Sequence, residues 1–396
     1  MAGPGAFLYG KEEEDAALEV LRNGYLFRYG SEEDPGFLHK TYSLEREFAA
    51  FCATKYALAT SSGTVSLLAS IMALGLKPGD EIIVPAYTFV ASYTACIFAG
   101  VIPVLAEIDD SLTLDPEDIE HRITPRTRAI MPVHMLGNMC KMDEIMKIAR
   151  KHDLLVLEDC CQALGASYKG KKAGTFGEMG VFSLNFFKTI NSGDGGLVIT
   201  NDEKLYETAF AIHDQGHKPM RHGVEVGSRN ILGLNFRMSE LTAAVALAQL
   251  QKIDFILSAL RDKRKLFKDL IGMTKGIRFR ILNDTEGDCA TLCTVIFDTR
   301  GQALKVTKEL GTKTVDQSGW HVYFNMEHVL NYFKQAGQPY TKGSYPKTDD
   351  ILGRSMNISV GVVDGGLGAG WGINILSDEA EIARMARQFT EACKKI

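Results

Sequence analysis

The sequence lacks an excess of basic residues. Lysine and arginine total 44 against 49 aspartate and glutamate residues, so the formal net charge is −5. No cluster of five or more basic residues occurs along the chain. Because nucleic acids attract proteins through dense positive patches, we expect no nucleic-acid partner.

The cysteine patterns of a metal site or a disulfide framework are also missing. The eight cysteines include the adjacent Cys160 and Cys161, and Cys289 with Cys293, but no Cys-x-x-Cys spacing and no neighbouring histidine at ligand spacing. Such usage is typical of a reducing compartment. The first residues carry neither the basic nor the apolar part of a secretory signal. These absences predict a cytoplasmic protein without a metal site.

One long uncharged run needs its own explanation. Residues 82–106 contain no charged side chain and are long enough to cross a bilayer. Pro85 and Pro103 lie within this run, with several hydroxyl-bearing residues between them. This pattern favours a strand, a helix and a strand inside a folded core. We therefore expect no membrane partner.

The length and the order of elements predict an α/β protein of two domains. A chain of 396 residues exceeds the usual size of one domain. Between residues 81 and 198 predicted strands and helices alternate, which indicates right-handed crossovers and a mainly parallel sheet. We predict an N-terminal arm and large domain over residues 1–255 and a smaller C-terminal α+β domain over 256–396. Ser239 to Leu260 is predicted to form a single long helix.

A single lysine stands out in the apolar stretch from Gly180 to Asn201. Lys188 is flanked by Leu184, Phe186 and Phe187, and a glycine-rich turn follows at 193–196. Burial disfavours the charged form of a lysine and leaves a nucleophilic amine that can form a Schiff base. The alternative for one lysine in isolation is a solvated surface charge.

Two further features suit the same chemistry. Asp159 ends the apolar run from Leu154, which predicts a buried parallel strand whose carboxyl end faces a ligand crevice. Ser62, Gly63 and Thr64 precede an apolar helical run, and the free N–H groups at a helix start suit a phosphate. A simple helix N-cap is the alternative for the second feature.

A reactive lysine, a carboxylate and a phosphate site together predict a pyridoxal phosphate cofactor. This cofactor needs a lysine for its aldehyde, an acid that keeps the pyridine nitrogen protonated, and a cup for its phosphate. Lys188 and Asp159 are the predicted catalytic residues.

Several longer segments resemble one known family. SSGTVSLLASIMALGLKPGDEIIVPAYTF, VLEDCCQALGASYKG, FSLNFFKTINSGDGGLVITND and GLNFRMSELTAAVALAQL are similar to the DegT/DnrJ-type sugar aminotransferases. The resemblance spans roughly residues 10 to 260. It implies the fold-type I architecture of pyridoxal phosphate enzymes, with helices flanking a mainly parallel sheet in the large domain.

The resemblance also implies a role for each matching residue. Lys188 matches the lysine that binds the cofactor covalently, and Asp159 matches the partner of the pyridine nitrogen. Gln162 matches the residue near the phenolic oxygen, and Phe89 the aromatic that stacks on the ring. The implied cofactor-binding set is Ser62, Gly63, Thr64, Phe89, Asp159, Gln162, Ser183, Lys188 and Asn235.

Asn235 matches a residue that the neighbouring subunit lends to the phosphate. The resemblance therefore implies a homodimer with shared active sites. Taken singly, Phe89 is equally typical of a core position, Ser183 of a strand hydroxyl and Asn235 of a turn. The segment from Lys347 to Gly372 departs from the usual family ending and is rich in glycine, and Asn185 stands where the family commonly has histidine.

The implied activity is transfer of an amino group from L-glutamate to a keto sugar. Our preferred acceptor is an 8-oxo-3-deoxy-octulosonate (Kdo-type) acid, giving the 8-amino sugar of a lipopolysaccharide. An acidic sugar needs a cation, and the candidates for substrate binding are Arg28, Arg229, His321 and Lys342, although a solvated surface charge is the alternative reading for each. A nucleotide-linked keto hexose or a keto-cyclitol is the alternative acceptor.

Two other functions remain open at this stage. Family members that act as sugar dehydratases replace the lysine by histidine, so the lysine at 188 disfavours dehydration. A non-catalytic sensor with the same fold is disfavoured by the complete set of Lys188, Asp159, Gln162 and Ser183.

Overall fold

A computed structural model describes residues 2–31, 33, 34, 36–219 and 229–395. Its core is a seven-stranded sheet in the order β1-β9-β8-β5-β4-β2-β3. The strands are β1 (Tyr56–Thr60), β2 (Glu81–Pro85), β3 (Ile102–Ala106), β4 (Thr127–Ile130), β5 (Leu155–Asp159), β8 (Met179–Ser183) and β9 (Gly196–Thr200), and a small hairpin adds β6 (Ser167–Tyr168) and β7 (Lys171–Lys172).

The sheet is mainly parallel, as predicted. Strand β9 pairs antiparallel with both β1 and β8, whereas the pairs along β8-β5-β4-β2-β3 are parallel. The uncharged run at 82–106 forms β2, a helix and β3, which confirms the strand, helix and strand prediction. Strands such as β2 and β8 are buried along their whole length, as expected where helices cover both faces.

Helices flank this sheet and begin at residues that satisfy free N–H groups. Ser62, Asp202 and Ser239 each accept a backbone N–H of the helix that follows. The helices are α1 (Lys11–Asn23), α2 (Lys40–Cys52), α3 (Gly63–Ala73), α4 (Ala91–Phe98), α5 (Pro116–Arg122), α6 (Met142–His152), α7 (Glu203–His213), α8 (Glu240–Leu250) and α9 (Ile253–Ile271).

The prediction of one helix from Ser239 to Leu260 is wrong. The chain forms α8 and α9 with a bend of 51° between them. Lys252 lies at the break, and its Nζ contacts Glu13 Oε2 at 2.8 Å and donates to the Leu8 carbonyl at 2.9 Å. These contacts hold the bend against the N-terminal segment. Within the described residues no single helix is long and apolar enough to cross a membrane; α8 and α9 meet that test only together.

A second, antiparallel sheet lies in the C-terminal part. Its order is β10-β11-β12, and the remaining elements are β10 (Ile277–Phe279), β11 (Leu292–Phe297), α10 (Arg300–Glu309), α11 (Glu327–Gln335), α12 (Pro346–Gly353), β12 (Ser355–Ser359) and α13 (Glu379–Lys394). Phe48 and Phe297 belong to one buried apolar cluster, so both parts share a core. Helix α9 runs through the predicted boundary at 255/256, and the division into 1–255 and 256–396 stays a proposal.

Candidate active site

A cavity of about 530 Å³ lies at the carboxyl ends of β2 and β5 and at the start of α3. Parallel strands of an open sheet commonly place their ligands at this edge. The cavity is lined by Ser62, Gly63, Thr64, Leu67, Thr88, Phe89, Ala91, Val133, Asp159, Cys161, Gln162, Ser183, Asn185, Phe187, Lys188, Asp194, Trp320, His321, Asp364 and Gly366. Eight of the nine predicted cofactor residues are therefore in one place, and the ninth is Asn235.

The carboxylate of Asp159 is held in one orientation. It ends β5 and is 4% exposed. Its Oδ1 accepts the backbone N–H of Cys161 at 3.1 Å, and its Oδ2 accepts the Ser92 hydroxyl at 2.8 Å. Ser92 in turn contacts the Thr88 hydroxyl at 2.7 Å. Ser92 lies in α4 and Thr88 lies in the loop before it, so both follow β2, whereas Cys161 follows β5. Residues after two neighbouring strand ends therefore orient this one carboxylate.

Lys188 lies in a turn after β8. Its backbone N–H donates to the Asn185 carbonyl at 2.9 Å, and its Nζ lies 6.0 Å from the centre of the Phe89 ring. The side chain is half-buried. The turn is braced by the N-terminal residues, since the Gly3 N–H donates to the Phe186 carbonyl at 3.1 Å. A Cβ at Gly3 would lie 2.4 Å from the Lys188 carbonyl oxygen, so only glycine allows this approach.

The start of α3 combines a helix cap with a close approach to β8. Ser62 Oγ accepts the Val65 N–H at 3.3 Å, so the N-cap interpretation is right for this hydroxyl. A Cβ at Gly63 would lie 2.8 Å from the Ser183 Cβ and 3.0 Å from the Cys161 Sγ. The first N–H groups of a helix have no partner within the helix, and Thr64 and Ser183 line the cavity beside them. This concave corner suits a phosphate.

Asn235 lies outside the cavity of its own chain. It is exposed, pairs through its backbone with Asp214, and its Oδ1 accepts the Arg237 N–H at 3.3 Å. Its predicted role in a neighbouring subunit's site stays a prediction.

The predicted substrate cations do not gather at the cavity. Arg28 is a correction: it is 1% exposed and its guanidinium contacts Glu45 at 2.7 Å and the Ala59 carbonyl at 3.1 Å, so it supports the core instead of binding substrate. Lys342 is exposed and lies 3.9 Å from Asp316, away from the lining residues. Arg229 is exposed next to residues 220–228, which lie outside the described residues.

Replacing Arg28 by alanine is expected to lower the free energy of unfolding by about 3–5 kcal/mol, because the Glu45 carboxylate would stay buried without its partner. Denaturant unfolding measures the change. Lys265→Ala is the control, since it removes an exposed pair with Asp269 and should change the stability far less. An Arg28 variant as stable as that control would contradict the structural role.

His321 alone among those candidates faces the cavity, and it carries no positive charge there. Its pKa is lowered to about 3, mainly by burial, and the nearby positive charges of Lys188 and Lys313 contribute to this shift. Its Nδ1 contacts the Ser318 hydroxyl at 2.9 Å. At neutral pH the ring is therefore neutral and does not supply a cation for an acidic substrate.

A buried cluster beneath the site is structural. His134 Nε2 contacts Glu158 at 3.0 Å, and Cys160 lies close to both side chains. The Glu158 oxygens also accept backbone N–H groups, those of Gly174, Phe176 and Gly177. Its carboxylate is therefore already engaged as an anchor for the loop after β7.

The site residues predicted from the sequence did not include Ser92, Trp320 or Asp364. Thr88 and Val90 donate backbone N–H groups to the carbonyls of His321 and Trp320 at 3.0 and 2.9 Å, which brings the C-terminal part to the end of β2. Trp320 adjoins His321, which the sequence did single out, and Asp364 lies in the glycine-rich segment that departs from the family. The departure of this segment from the family pattern was the sequence signal that could have pointed to Asp364.

Comparisons with known proteins agree with this architecture. The sequence profile of the DegT/DnrJ/EryC1/StrS aminotransferase family, which uses pyridoxal phosphate, matches residues 9–363. GDP-perosamine synthase from Vibrio cholerae is 38% identical over 79% of this chain and 83% of that protein. The GDP-perosamine synthase from Caulobacter vibrioides is 43% identical, but the match covers 54% of this chain and little more than half, 57%, of that protein.

A solved structure extends the likeness to the whole chain. The crystal structure of 3-amino-5-hydroxybenzoic acid synthase superposes with a TM-score of 0.82 at 26% identity, covering 100% of this chain and 99% of that one. The fold is therefore that of a pyridoxal phosphate aminotransferase, as the sequence predicted. The match of the family profile to most of the chain, together with this superposition, shows that the chain belongs to the DegT/DnrJ/EryC1/StrS aminotransferase family.

Proposed function

We propose that the protein is a pyridoxal phosphate-dependent aminotransferase that moves an amino group from L-glutamate to a keto sugar. The observation that carries this proposal is that Lys188, Asp159 and Phe89 line one cavity with the start of α3. Pyridoxal phosphate supplies reversible covalent attachment of an amine and a ring that withdraws electrons from it. The cavity residues fit pyridoxal phosphate, because the lysine, the carboxylate, the aromatic ring and the helix start that this cofactor needs are all present in one place.

Each residue has a defined task in that arrangement. Asp159, oriented by Ser92 and by the Cys161 N–H, would hold a proton on the pyridine nitrogen. The start of α3 and Ser183 would hold the phosphate, and Phe89 would pack against the ring. The Lys188 amine would bind the cofactor and, when free, would accept and return the proton of the donor's Cα. A half-buried amine suits both tasks because little water competes for it.

For the acceptor, we propose a nucleotide-linked keto hexose. This choice is supported by relatives of 38% and 43% identity named GDP-perosamine synthase. The octulosonate acid predicted from the sequence is not supported by the relatives described above.

A panel of keto sugars tests the acceptor. With glutamate as donor, release of 2-oxoglutarate is followed with a GDP-linked 4-keto-6-deoxyhexose, a keto-cyclitol and the 8-oxo-octulosonate, and products are identified by mass. We expect turnover to an amino sugar with the nucleotide-linked hexose. Turnover of the octulosonate alone would reinstate the first prediction, and loss of a hydroxyl without gain of nitrogen would indicate a dehydratase. Glutamine in place of glutamate tests the donor.

If two subunits share their active sites, mixed dimers of two inactive variants should recover activity. We propose that Asn235 reaches the cofactor phosphate of a second copy of this chain. Lys188→Ala and Asn235→Ala chains, each of low activity, should regain activity when they are unfolded and refolded together, because one of the two hybrid sites holds both original residues. The gain is read as amino-sugar formation against each variant refolded alone. No gain, with hybrid dimers verified by mass, would contradict the shared site.

A further inference from the structure

The charge of the cavity wall is unusual for a site that binds anions. Among the described residues that line it, Lys188 is the single lysine or arginine, and Asp159, Asp194 and Asp364 supply carboxylates. Asp159 is assigned to the cofactor, and Asp194 accepts the Asn185 side-chain amide at 2.9 Å. Asp364 has no task in the chemistry proposed above.

Asp364 is rigidly placed. It exchanges backbone hydrogen bonds with Ala369 at 3.1 and 2.8 Å, and its Oδ1 accepts the Gly366 N–H at 2.7 Å. The preceding residue, Val363, exchanges backbone hydrogen bonds with Ala2 at 3.1 and 3.0 Å. No hydrogen bond from a described residue reaches Oδ2. One carboxylate oxygen is therefore used to fix the turn while the other remains available to a ligand.

Asp364 lines two cavities. It lines the main cavity, and it lines a smaller one of about 50 Å³ together with Lys188, Gln162 and His321. A group bound at Asp364 would thus lie beside the reacting amine of Lys188. This position is where the acceptor sugar must come if its carbonyl is to receive nitrogen.

Trp320 supplies an aromatic wall near the same opening. Its ring centre lies 6.5 Å from that of Phe89 with an angle of 33° between the planes. The side chain is 56% exposed although its backbone is tied to Val90. A large aromatic that is fixed in position but open on one face has surface left to cover a ligand.

We propose that Trp320 and Asp364 recognise the acceptor sugar: the indole packs against the apolar face of the sugar ring, and the Asp364 carboxylate accepts hydrogen bonds from ring hydroxyls. This inference rests on the proposed aminotransferase function and narrows its acceptor to an uncharged, hydroxyl-bearing sugar ring. A carboxylate acceptor forms strong hydrogen bonds with neutral donors and repels a sugar acid placed at the same spot. Both residues would contact the acceptor sugar, and the glutamate half of the reaction requires neither of them.

Separate half-reactions test this role in the cofactor-loaded protein. Asp364→Asn keeps the oxygen that accepts the Gly366 N–H and removes the charge. We expect KM for the GDP-linked 4-keto-6-deoxyhexose to rise about 10–100-fold, the range for a hydrogen bond to a charged group. The rate of the glutamate half-reaction, followed by the cofactor's absorbance without any sugar, should not fall, because glutamate is an anion that gains nothing from a carboxylate at this position. Asp350→Asn, at an exposed ion pair with Arg354, is the matched control.

Trp320 offers a readout that does not depend on turnover. The chain has two tryptophans, and Trp371 packs against the core beside Phe389. In a Trp371→Phe background, saturable binding of the sugar should change the emission of Trp320. Trp320→Ala should raise KM about 3–10-fold, and Trp320→Phe should restore most of that loss because it keeps an aromatic face.

The outcomes separate this inference from the function on which it rests. A wild-type protein that shows no glutamate half-reaction would reject the aminotransferase. A normal half-reaction combined with an unchanged KM in both variants, or with no change in Trp320 emission on sugar binding, would overturn the recognition role alone. Turnover of the octulosonate in preference to the nucleotide-linked hexose would overturn the preference for an uncharged sugar ring.

Discussion

Replacing Lys188 by alanine is expected to abolish transamination and covalent retention of the cofactor. In the proposed function the Lys188 amine both binds the cofactor and moves the proton, so the substitution would remove both tasks at once. Proton transfer by a positioned side chain contributes about 10²–10⁴-fold to a rate, and loss of the covalent link adds to that. Asp159 and the start of α3 are untouched, so the cofactor should still bind reversibly.

Borohydride reduction followed by mass analysis measures the link. The unaltered protein should carry the cofactor's mass on the peptide that contains Lys188, and the variant should carry none. Lys342→Ala is the control, because that exposed lysine lies 3.9 Å from Asp316 and outside the cavity. Full labelling of the Lys188 variant would place the covalent site on another lysine.

Asparagine at position 159 is expected to slow the reaction by about 10²–10³-fold, the scale observed when one preorganised electrostatic group is removed from a reacting centre. The amide can still accept the Cys161 N–H through its oxygen, and the Ser92 hydroxyl can turn to accept the new N–H. The local geometry is therefore kept. What is lost is the negative charge that, in the proposed function, would hold a proton on the pyridine nitrogen of the cofactor.

Turnover number and cofactor content must be measured together for this variant. We expect the cofactor to remain bound while the turnover number falls, and Ser92→Ala, which removes one donor to Asp159 and keeps its charge, should fall much less. An Asp159→Asn protein that turns over at the original rate would exclude this carboxylate as the partner of the ring nitrogen. Equal losses in both variants would point to orientation, not charge, as its contribution.

Much of the fold follows from local patterns. The run at 82–106 forms the predicted strand, helix and strand, and Asp159 ends a buried strand as predicted, because periodicity and end signals act over a few residues. The break between α8 and α9 was not predictable, since Lys252 is turned there by contacts with Leu8 and Glu13, which are distant in sequence.

The sequence by itself determined the family, the α/β alternation and the core of the candidate site. Lys188, Asp159 and Gly63 were identifiable from chain order alone. In a parallel sheet, the carboxyl ends of the strands and the starts of the helices that follow them lie at the same edge, which brings these positions together. The short motifs around these residues contain the side chains that the proposed chemistry needs, and a short motif can be read from a few neighbouring positions.

Only the tertiary structure decided which charges serve the core and which face the cavity. Arg28 is committed to Glu45, His321 is neutral through burial, and Trp320 and Asp364 reach the opening on loops of the C-terminal part. A charged side chain has the same identity in sequence whether it is solvated, paired or aimed at a ligand. Its role depends on desolvation and on partners that the fold brings from far along the chain, and those interactions are absent from any local pattern.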